Sequence, residues 1–542
     1  MARLDLSTSI AIACFAALTL GACSDDAVSA EGDEAGDEDS VDISGPLARG
    51  IDITEVEANQ GTAVLIGQDG EWVKGEDRNA FLISNRDTLI RTQHTLSADW
   101  IPREIVGVLH IRLPGGEEVE PKVRALFVEE DSDKGNVNTN FYWSVTAAEA
   151  QPGTRYQVEL REVDDGSVGS SLPEGVAVTP PEIDHIGYET TPLEMKVVIV
   201  PINYTFPDPP IEVVLSESDI EVIEDGLYEQ NPLQTIDIQI HETMDYAPQM
   251  TDLGDMLPVM RALKIEEGAA PNVYYHALID VGVPNVNMVA GIAWLIGDAE
   301  QSSGDMRVAS TVWSIGENPL APAGPTGTII HEVGHNQGLR HVYCPNQSPG
   351  APAANTDPAY PHDGGKLGVY GFGVRSYTLR KPTGHDYMTY CANTWVSDWT
   401  WNKTYKRVRA LTEFDYPEEN PLPGSSADAS PPAEVPTLMG TINGAGEERW
   451  YLMPGYAMAN EQLGAEQRLL VEHDGQVETL YTQTSTLTDD RTTVILAPLP
   501  EGFVDFADID QISRLDYRGD LHPVNLAKVT RAADLLTEVR GH

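Results

Sequence analysis

The 542-residue sequence is poor in basic side chains, with 34 lysines and arginines against 85 aspartates and glutamates. The formal net charge is therefore −51 at pH 7. A field of this sign repels phosphate groups and anionic lipid headgroups, so we expect no nucleic-acid partner. The length allows three or four domains. The sequence has no clear internal repeat, so it does not predict a solenoid.

The N-terminal segment has the pattern of a targeting signal rather than of a membrane span. Residues 10–20 are apolar, but this run is too short to cross a bilayer. Residues 20–23 (LGAC) resemble a bacterial lipobox, which makes 1–22 a lipoprotein signal peptide and Cys23 the lipidated first residue of the mature chain. Ordinary signal cleavage beside an incidental cysteine is the alternative. Residues 23–50 are acidic and polar, and we expect a disordered tether there.

These signals predict export to the bacterial cell envelope, as an outer-membrane or cell-surface lipoprotein, or full secretion. Contact with the membrane is expected only through lipid on Cys23. The sequence does not indicate an oligomeric state.

Cysteine is also scarce, with four residues in the whole chain. Cys14 lies in the segment that we expect to be removed, and Cys23 would carry lipid. Cys344 and Cys391 then remain as one pair in a chain exported to an oxidising compartment. We predict a disulfide between them, with two buried free thiols as the alternative.

The most specific pattern in the chain is HEVGHNQGLRH at 331–341. His331 and His335 are four residues apart and share one face of a helix, and Gly338 can end that helix and turn the chain so that His341 becomes a third ligand. Three histidines with an open fourth position are typical of a catalytic zinc site. The alternative is a core helix with satisfied histidines, and Fe²⁺ fits poorly because no carboxylate ligand is present.

This pattern, H-E-x-x-H-x-x-G-x-x-H, is the metzincin signature. Downstream, 386–391 (DYMTYC) resembles the methionine turn of that family. The resemblance implies that Met388 supports the zinc histidines without doing chemistry, and that Tyr390 stabilises an oxyanion, as in astacin-like and serralysin-like members. It also implies that Glu332 is the general base of a zinc endopeptidase. A narrower similarity is to secreted bacterial dictomallein-type metalloproteases, which implies protein or glycoprotein substrates.

Two further metal questions follow from the sequence. No cysteine lies between residues 24 and 343, so a propeptide thiolate cannot mask the zinc. Asp131, Asp133 and Gly135 form an acidic loop that could hold Ca²⁺, but we favour a solvated turn.

The hydrophobic pattern divides the chain into a multidomain α/β (α+β) architecture. Residues 51–183 contain short strands between turns, which predicts an N-terminal β-sandwich-like domain. Residues 184–415 alternate strands with helices, as expected of a metzincin-like catalytic domain. Residues 416–436 are rich in Pro, Ser and Ala and form a predicted linker. Residues 437–542 predict a second β domain, also β-sandwich-like, with a tight hairpin at Asp474-Gly475.

Several elements of the catalytic region can be placed from local signals. Ser218 and Glu221 have capping-box spacing and open a predicted helix to about Tyr228. A helix near 252–266 precedes a strand, and the active helix is expected from about Thr326 to Gly338.

One short strand carries a functional expectation. In metzincins an edge strand pairs with the extended substrate, and the candidate here consists of Gly291, Ile292, Ala293 and Trp294. An ordinary strand is the alternative.

A rival function remains open at the sequence level. The chain could be a non-catalytic cell-surface binding or adhesion protein with a zinc-stabilised domain. The intact Glu332 argues against this alternative, because a metal site kept only for folding needs no base.

Overall fold

The computed structural model describes residues 43–164, 166–282, 289–313, 324–345, 356–416, 420–422, 433–458, 463–500, 503, 506 and 509–541. The signal peptide predicted for 1–22, and Cys23 with its lipid, lie outside the described residues. Ordered structure begins before the predicted boundary at residue 50, because Leu47 bridges to Arg161 and Arg49 to Glu174. Among the described helices, none has the length and apolarity that crossing a bilayer requires.

Two antiparallel sheets fill the N-terminal region. One has the strand order β3-β2-β1-β5-β8 and the other β10-β9-β6-β7. Their strands are β1 (Ile51–Asn59), β2 (Ala63–Gln68), β3 (Glu71–Trp72), β5 (Thr88–Leu96), β6 (Arg103–Arg112), β7 (Lys122–Val128), β8 (Tyr142–Val145), β9 (Arg155–Glu162) and β10 (Val178–His185). The short strand β4 (Leu82–Ile83) lies outside both sheets and pairs in parallel with Tyr188–Glu189. Alternate residues of β9, from Tyr156 to Glu162, are buried. This period of two is typical of a strand with one face in a core.

The central region combines a mixed sheet with helices on both faces. Its elements are β11 (Tyr188–Glu189), β12 (Glu194–Tyr204), β13 (Ile211–Glu212), α1 (Glu217–Gln230), β14 (Thr235–Ile240), β15 (Met244–Tyr246), α2 (Met256–Glu266), β16 (Val273–Ile279), β17 (Gly291–Ala293), β18 (Val308–Val312), α3 (Gly324–Asn336), β19 (Gly371–Phe372), β20 (Leu379–Arg380), β21 (His385–Asp386), β22 (Thr394–Trp395) and α4 (Asp398–Thr412). The sheet order is β13-β12-β16-β18-β17, with β14 and β15 also paired to β12. Strands β12, β16 and β18 are parallel, and β17 is an antiparallel strand at the edge.

The sequence of strand β12 is a continuous apolar run because both faces of the strand are buried. Val197 and Ile199 belong to the core shared with α3 and the N-terminal sheets. Val200 and Ile202 belong to a second core shared with α2 and the C-terminal region. Both faces of the strand are therefore covered, as is usual for a parallel sheet.

The C-terminal region is a single large sheet with one helix. Its elements are β23 (Glu434–Ile442), β24 (Glu448–Tyr456), β25 (Gly464–His473), β26 (Gln476–Thr486), β27 (Thr493–Pro498), β28 (Gln511–Leu515), β29 (Leu521–Val524), β30 (Thr530–Arg531) and α5 (Ala532–Arg540). Asp474 and Gly475 both have positive φ (48° and 72°) and join β25 to β26, as the hairpin signal predicts. Taken together, the strand-rich mixed α/β structure confirms the predicted fold class at this coarse level.

The first residues of α1 and α2 differ from the predicted ones. The cap of α1 is Ser216, not Ser218: Ser216 Oγ accepts from the Asp219 amide and the Asp219 side chain accepts from the Ser216 amide. Each serine is followed three residues later by an acidic residue, and the pair that forms the capping box is Ser216 with Asp219. Helix α2 begins at Met256, four residues later than predicted, because 253–255 form a 3₁₀ turn.

The N-terminal sheets are joined to the central region by buried polar contacts. Arg86 is fully buried, and its guanidinium donates to the carbonyl oxygens of Gln60, Tyr228 and Leu233. The indole of Trp401 on α4 donates to the Phe81 carbonyl. Each of these hydrogen bonds replaces one to water and contributes roughly 0.5–1.5 kcal/mol net to the association of the two regions, and more where the charged guanidinium donates.

Candidate metal centre

Helix α3 carries His331 and His335, and it ends at a turn that allows His341 to approach them. Its end is a Schellman motif, in which Leu339 N donates to Gly334 O and Gly338 N to His335 O (3.0 and 2.9 Å). Gly338 has φ +89°, and a Cβ there would lie 2.6 Å from the Ile296 carbonyl oxygen. Only glycine fits this turn, which returns the chain so that His341 faces the helix.

The three histidines meet at their Nε2 atoms. His335 Nε2 lies 3.0 Å from His331 Nε2 and 3.1 Å from His341 Nε2. All three side chains are buried. Within the described part of the chain they form one of two groups of side chains close enough to share a metal ion.

The hydrogen bonds on the far side of the His331 and His335 rings fix their tautomers. His331 Nδ1 lies 2.8 Å from the Tyr387 carbonyl oxygen, and His335 Nδ1 lies 2.7 Å from the Leu339 carbonyl oxygen. Because a carbonyl can only accept, each Nδ1 carries the proton and each Nε2 presents a lone pair. Burial lowers the pKa of His331 to about 4 and that of His335 well below its usual value, so both rings are neutral.

This donor set fits a zinc ion. Lone pairs directed at one another across about 3 Å are unfavourable unless a cation lies between them. Neutral imidazoles with Nδ1–H held by backbone carbonyls are the usual form of metal-bound histidine. With His341 Nε2 as the third nitrogen, one coordination position stays open, as in catalytic zinc sites.

Glu332 lies against the edge strand and is almost fully buried, at 4% exposure. A Cβ on Gly291 would be 2.6 Å from Glu332 Oε1, so the glycine makes room for the carboxylate. Burial raises the pKa of Glu332 to about 8, and the negative charge of Asp489 adds to the shift while the Thr488 hydroxyl opposes it. A divalent cation beside the carboxylate would favour its ionised form.

Residues 386–391, the predicted methionine turn, lie directly under α3. A Cβ on Gly334 would be 2.6 Å from Met388 Sδ, which shows how closely the buried methionine packs beneath the helix. Val342 N donates to the Met388 carbonyl oxygen (2.9 Å). The Tyr390 hydroxyl lies 2.8 Å from His341 Nε2, at the metal side of that ring. Burial, with nearby carboxylates, raises the pKa of Tyr390, so its hydroxyl stays protonated and can donate.

The predicted cysteine pair is joined in the structure. Cys344 and Cys391 are bonded with their Cα atoms 6.1 Å apart, which ties the loop after His341 to the methionine turn. With His385 the two sulfurs also make up the second group of possible metal ligands.

Removing this disulfide should destabilise the central region. For a sequence separation of 47 residues, the chain-entropy model gives about 4 kcal/mol. We expect Cys344→Ser/Cys391→Ser to lower the free energy of unfolding by that order in denaturant titrations under oxidising conditions. The same titrations with a reductant are the control, because variant and wild type should then converge. Equal stability under oxidising conditions would contradict the bond.

The candidate substrate strand lies at the sheet edge. Residues 291–293 pair with β18 on one side only, and Trp294 lies just beyond the strand. The Trp294 carbonyl is already bonded to Asn336 Nδ2 at the end of α3 (2.9 Å). Of the four predicted residues, Gly291, Ile292 and Ala293 therefore form the edge.

The sequence did not point to the loop at 487–492, which joins β26 to β27 and lies over this site. Thr488 Oγ1 is 3.4 Å from Glu332 Oε2, and Asp490 Oδ2 is 3.9 Å from His341 Nδ1. Thr488 is 156 residues from Glu332 in the chain. No local pattern marks such a contact.

The acidic loop considered for calcium forms ordinary turn contacts. Asp133 Oδ1 accepts from the Gly135 amide and Asp131 Oδ1 from the Leu96 amide, both at 2.8 Å. These residues are in neither of the possible metal groups found among the described residues. A calcium site is unsupported.

Comparisons with known proteins agree with the chemistry of the histidines. Residues 232–342 match the family described as metallo-peptidase family M12B, reprolysin-like. No curated protein matches the chain.

Two solved structures resemble parts of the fold weakly. They are a calcium-binding mutant of Bacteroides uniformis beta-glucuronidase 2 (9% identity, TM-score 0.16, 43% of this chain, 30% of that chain) and the same enzyme covalently bound to cyclophellitol-6-carboxylate aziridine (8%, 0.17, 43% and 29%). The chain thus spans about a third of their length, and we draw nothing from TM-scores this low. The reprolysin-like match and the histidine group together support a metallopeptidase with a metal site at His331, His335 and His341.

Proposed function

We propose that the protein is a zinc-dependent endopeptidase that cleaves extracellular proteins or glycoproteins. The observation that carries the proposal is the convergence of three buried histidines, with His335 Nε2 3.0 Å from His331 Nε2 and 3.1 Å from His341 Nε2, beside the buried carboxylate of Glu332. The reprolysin-like match over residues 232–342 supports the same reaction class.

Each residue has a defined task in this reaction. His331, His335 and His341 hold the ion through Nε2. Zinc bound there would polarise the substrate carbonyl and make water acidic near neutral pH. Glu332 takes the proton from the attacking water and passes it to the leaving amine. Tyr390 donates a hydrogen bond to the oxygen that becomes negative in the transition state, and Met388 supports the histidines from below.

We also propose that the enzyme acts outside the cell, as an envelope lipoprotein anchored through Cys23 or as a secreted protein. The polar contacts of Arg86 and Trp401 support a permanent N-terminal region at 51–183 over a removable one. Nucleic acid is not expected as a partner, because of the charge of −51.

A chelator-sensitive cleavage assay tests the proposed activity. The purified mature chain is incubated with a peptide library, with and without 1,10-phenanthroline, and zinc is then restored. We expect cleavage that the chelator abolishes and zinc recovers. A zinc-loaded protein that cleaves no peptide would favour the non-catalytic adhesion protein instead.

Tyr390→Phe separates the oxyanion role from metal binding. The substitution removes the hydroxyl near His341 Nε2 but keeps the ring, so zinc content should stay at the wild-type level. We expect kcat to fall by about 10- to 100-fold, since a lost transition-state hydrogen bond costs up to a few kcal/mol. Steady-state kinetics and zinc analysis of the same preparation check this. An unchanged kcat would make the tyrosine a packing residue only.

A further inference from the structure

We propose that the 487–492 loop of the C-terminal sheet is an autoinhibitory element that closes the metal site and must move away before a substrate binds. The inference rests on the proposed peptidase function. It names a way in which access to that same site is controlled.

The loop occupies the edge to which a substrate strand would bind. Ala293 N donates to Thr488 Oγ1 (3.0 Å), and the Ala293 carbonyl oxygen is 3.3 Å from the same hydroxyl. An extended peptide that adds to an edge strand uses these backbone donors and acceptors. The Thr488 hydroxyl therefore takes the hydrogen bonds that a substrate at β17 would require.

The same loop also covers the catalytic groups. Thr488 Oγ1 lies 3.4 Å from Glu332 Oε2, and Asp490 Oδ2 lies 3.9 Å from His341 Nδ1. The side chains of Asp490 and His341 are both only 3% exposed. A peptide carbonyl and an attacking water cannot reach a centre enclosed in this way, so the arrangement is a closed state.

Internal bonds make the loop a compact unit. Asp489 accepts from the amides of Arg491 and Thr492 (3.0 and 2.9 Å) and from the Thr492 hydroxyl (2.6 Å). Leu487 N donates to the Thr492 carbonyl oxygen (2.8 Å), which closes the base of the turn. A loop with these internal bonds can leave the site without losing its own structure.

The charge of the loop suits a closure that depends on the metal. Asp490 brings its carboxylate to 3.9 Å from His341 Nδ1, and the neighbouring Asp489 adds a second negative charge near the three histidines. A divalent ion held by the histidines would attract both carboxylates. We therefore expect zinc to strengthen the closed state.

The test uses Thr488→Val in the full chain, a change that keeps the shape of the side chain and removes its hydroxyl. Thr479→Val is the matched control, because Thr479 is exposed on β26, the strand that precedes the loop. A second variant, Asp490→Asn, removes the charge; Asp474→Asn is its control, since both aspartates have positive φ (56° and 48°), a conformation that asparagine tolerates.

Three quantities are measured: kcat/KM, the rate of zinc loss to an excess of chelator, and deuterium uptake in a peptide containing Ala293. We expect kcat/KM and the zinc-loss rate to rise about 3- to 10-fold in Thr488→Val, the factor that one or two neutral hydrogen bonds provide. Uptake at Ala293 should rise as well. Asp490→Asn should change the rates in the same direction, and both controls should match wild type.

The outcomes separate the two proposals. Faster zinc loss and faster exchange without any peptide cleavage, in wild type or variants, would keep the closing loop and remove the peptidase. Cleavage that depends on Glu332 but is unchanged or lowered in both loop variants, with unchanged zinc loss, would overturn the closing loop and keep the peptidase. In that case the loop is a fixed wall of the active site.

Discussion

Glu332→Gln is expected to lower kcat by about 10²- to 10⁴-fold, the contribution that a positioned general base usually makes. The amide has nearly the shape of the carboxylate and can keep the contact with Thr488, but it cannot take a proton from water. The three histidines are untouched, so the variant should bind zinc as the wild type does. Steady-state kinetics with metal analysis of the same sample measure both effects.

Glu466→Gln is the matched control for this change, because Glu466 is exposed on β25. Its activity should equal that of wild type. If Glu332→Gln retained more than about a tenth of wild-type kcat, the factor expected for a general base would be missing and the proton would have to go elsewhere.

His335→Ala is expected to abolish activity through loss of the metal. His335 is the central ligand, with Nε2 at 3.0 and 3.1 Å from its two partners. Two histidines cannot replace a three-nitrogen set, so zinc affinity should fall by more than the roughly 10- to 100-fold that loss of an outer hydrogen-bond partner costs. Competition with a fluorescent zinc chelator measures the affinity directly.

The control for this change is His522→Ala, which removes a partly exposed histidine on β29 of the C-terminal sheet. It should bind zinc with wild-type affinity. Stoichiometric, tightly bound zinc in His335→Ala would mean that the ion is held at another site.

The parts of the site that the sequence predicts are those set by local geometry. Spacing of four residues places His331 and His335 on one helix face, and a glycine that must take positive φ brings His341 back. The disulfide between Cys344 and Cys391 is predicted because the chain has few cysteines and is expected to be exported to an oxidising compartment. The metzincin resemblance predicts an edge strand at Gly291, Ile292, Ala293 and Trp294, and the first three of these residues form β17.

What the sequence does not predict depends on contacts between distant segments. Thr488 and Asp490 lie in a polar turn that would look like any solvent loop, and only the packing of the C-terminal sheet on the second core brings them to Glu332 and His341. The cap of α1 shows the same limit on a smaller scale. Ser216 and Ser218 carry equivalent local signals, and the surrounding structure decides between them.

X-ray absorption at the zinc edge of the purified wild-type chain tests the central claim most directly. We predict one zinc ion with three imidazole nitrogens at about 2.0–2.1 Å and an oxygen ligand completing the shell. A sulfur ligand at about 2.3 Å, or fewer than three imidazoles, would contradict a centre built from His331, His335 and His341.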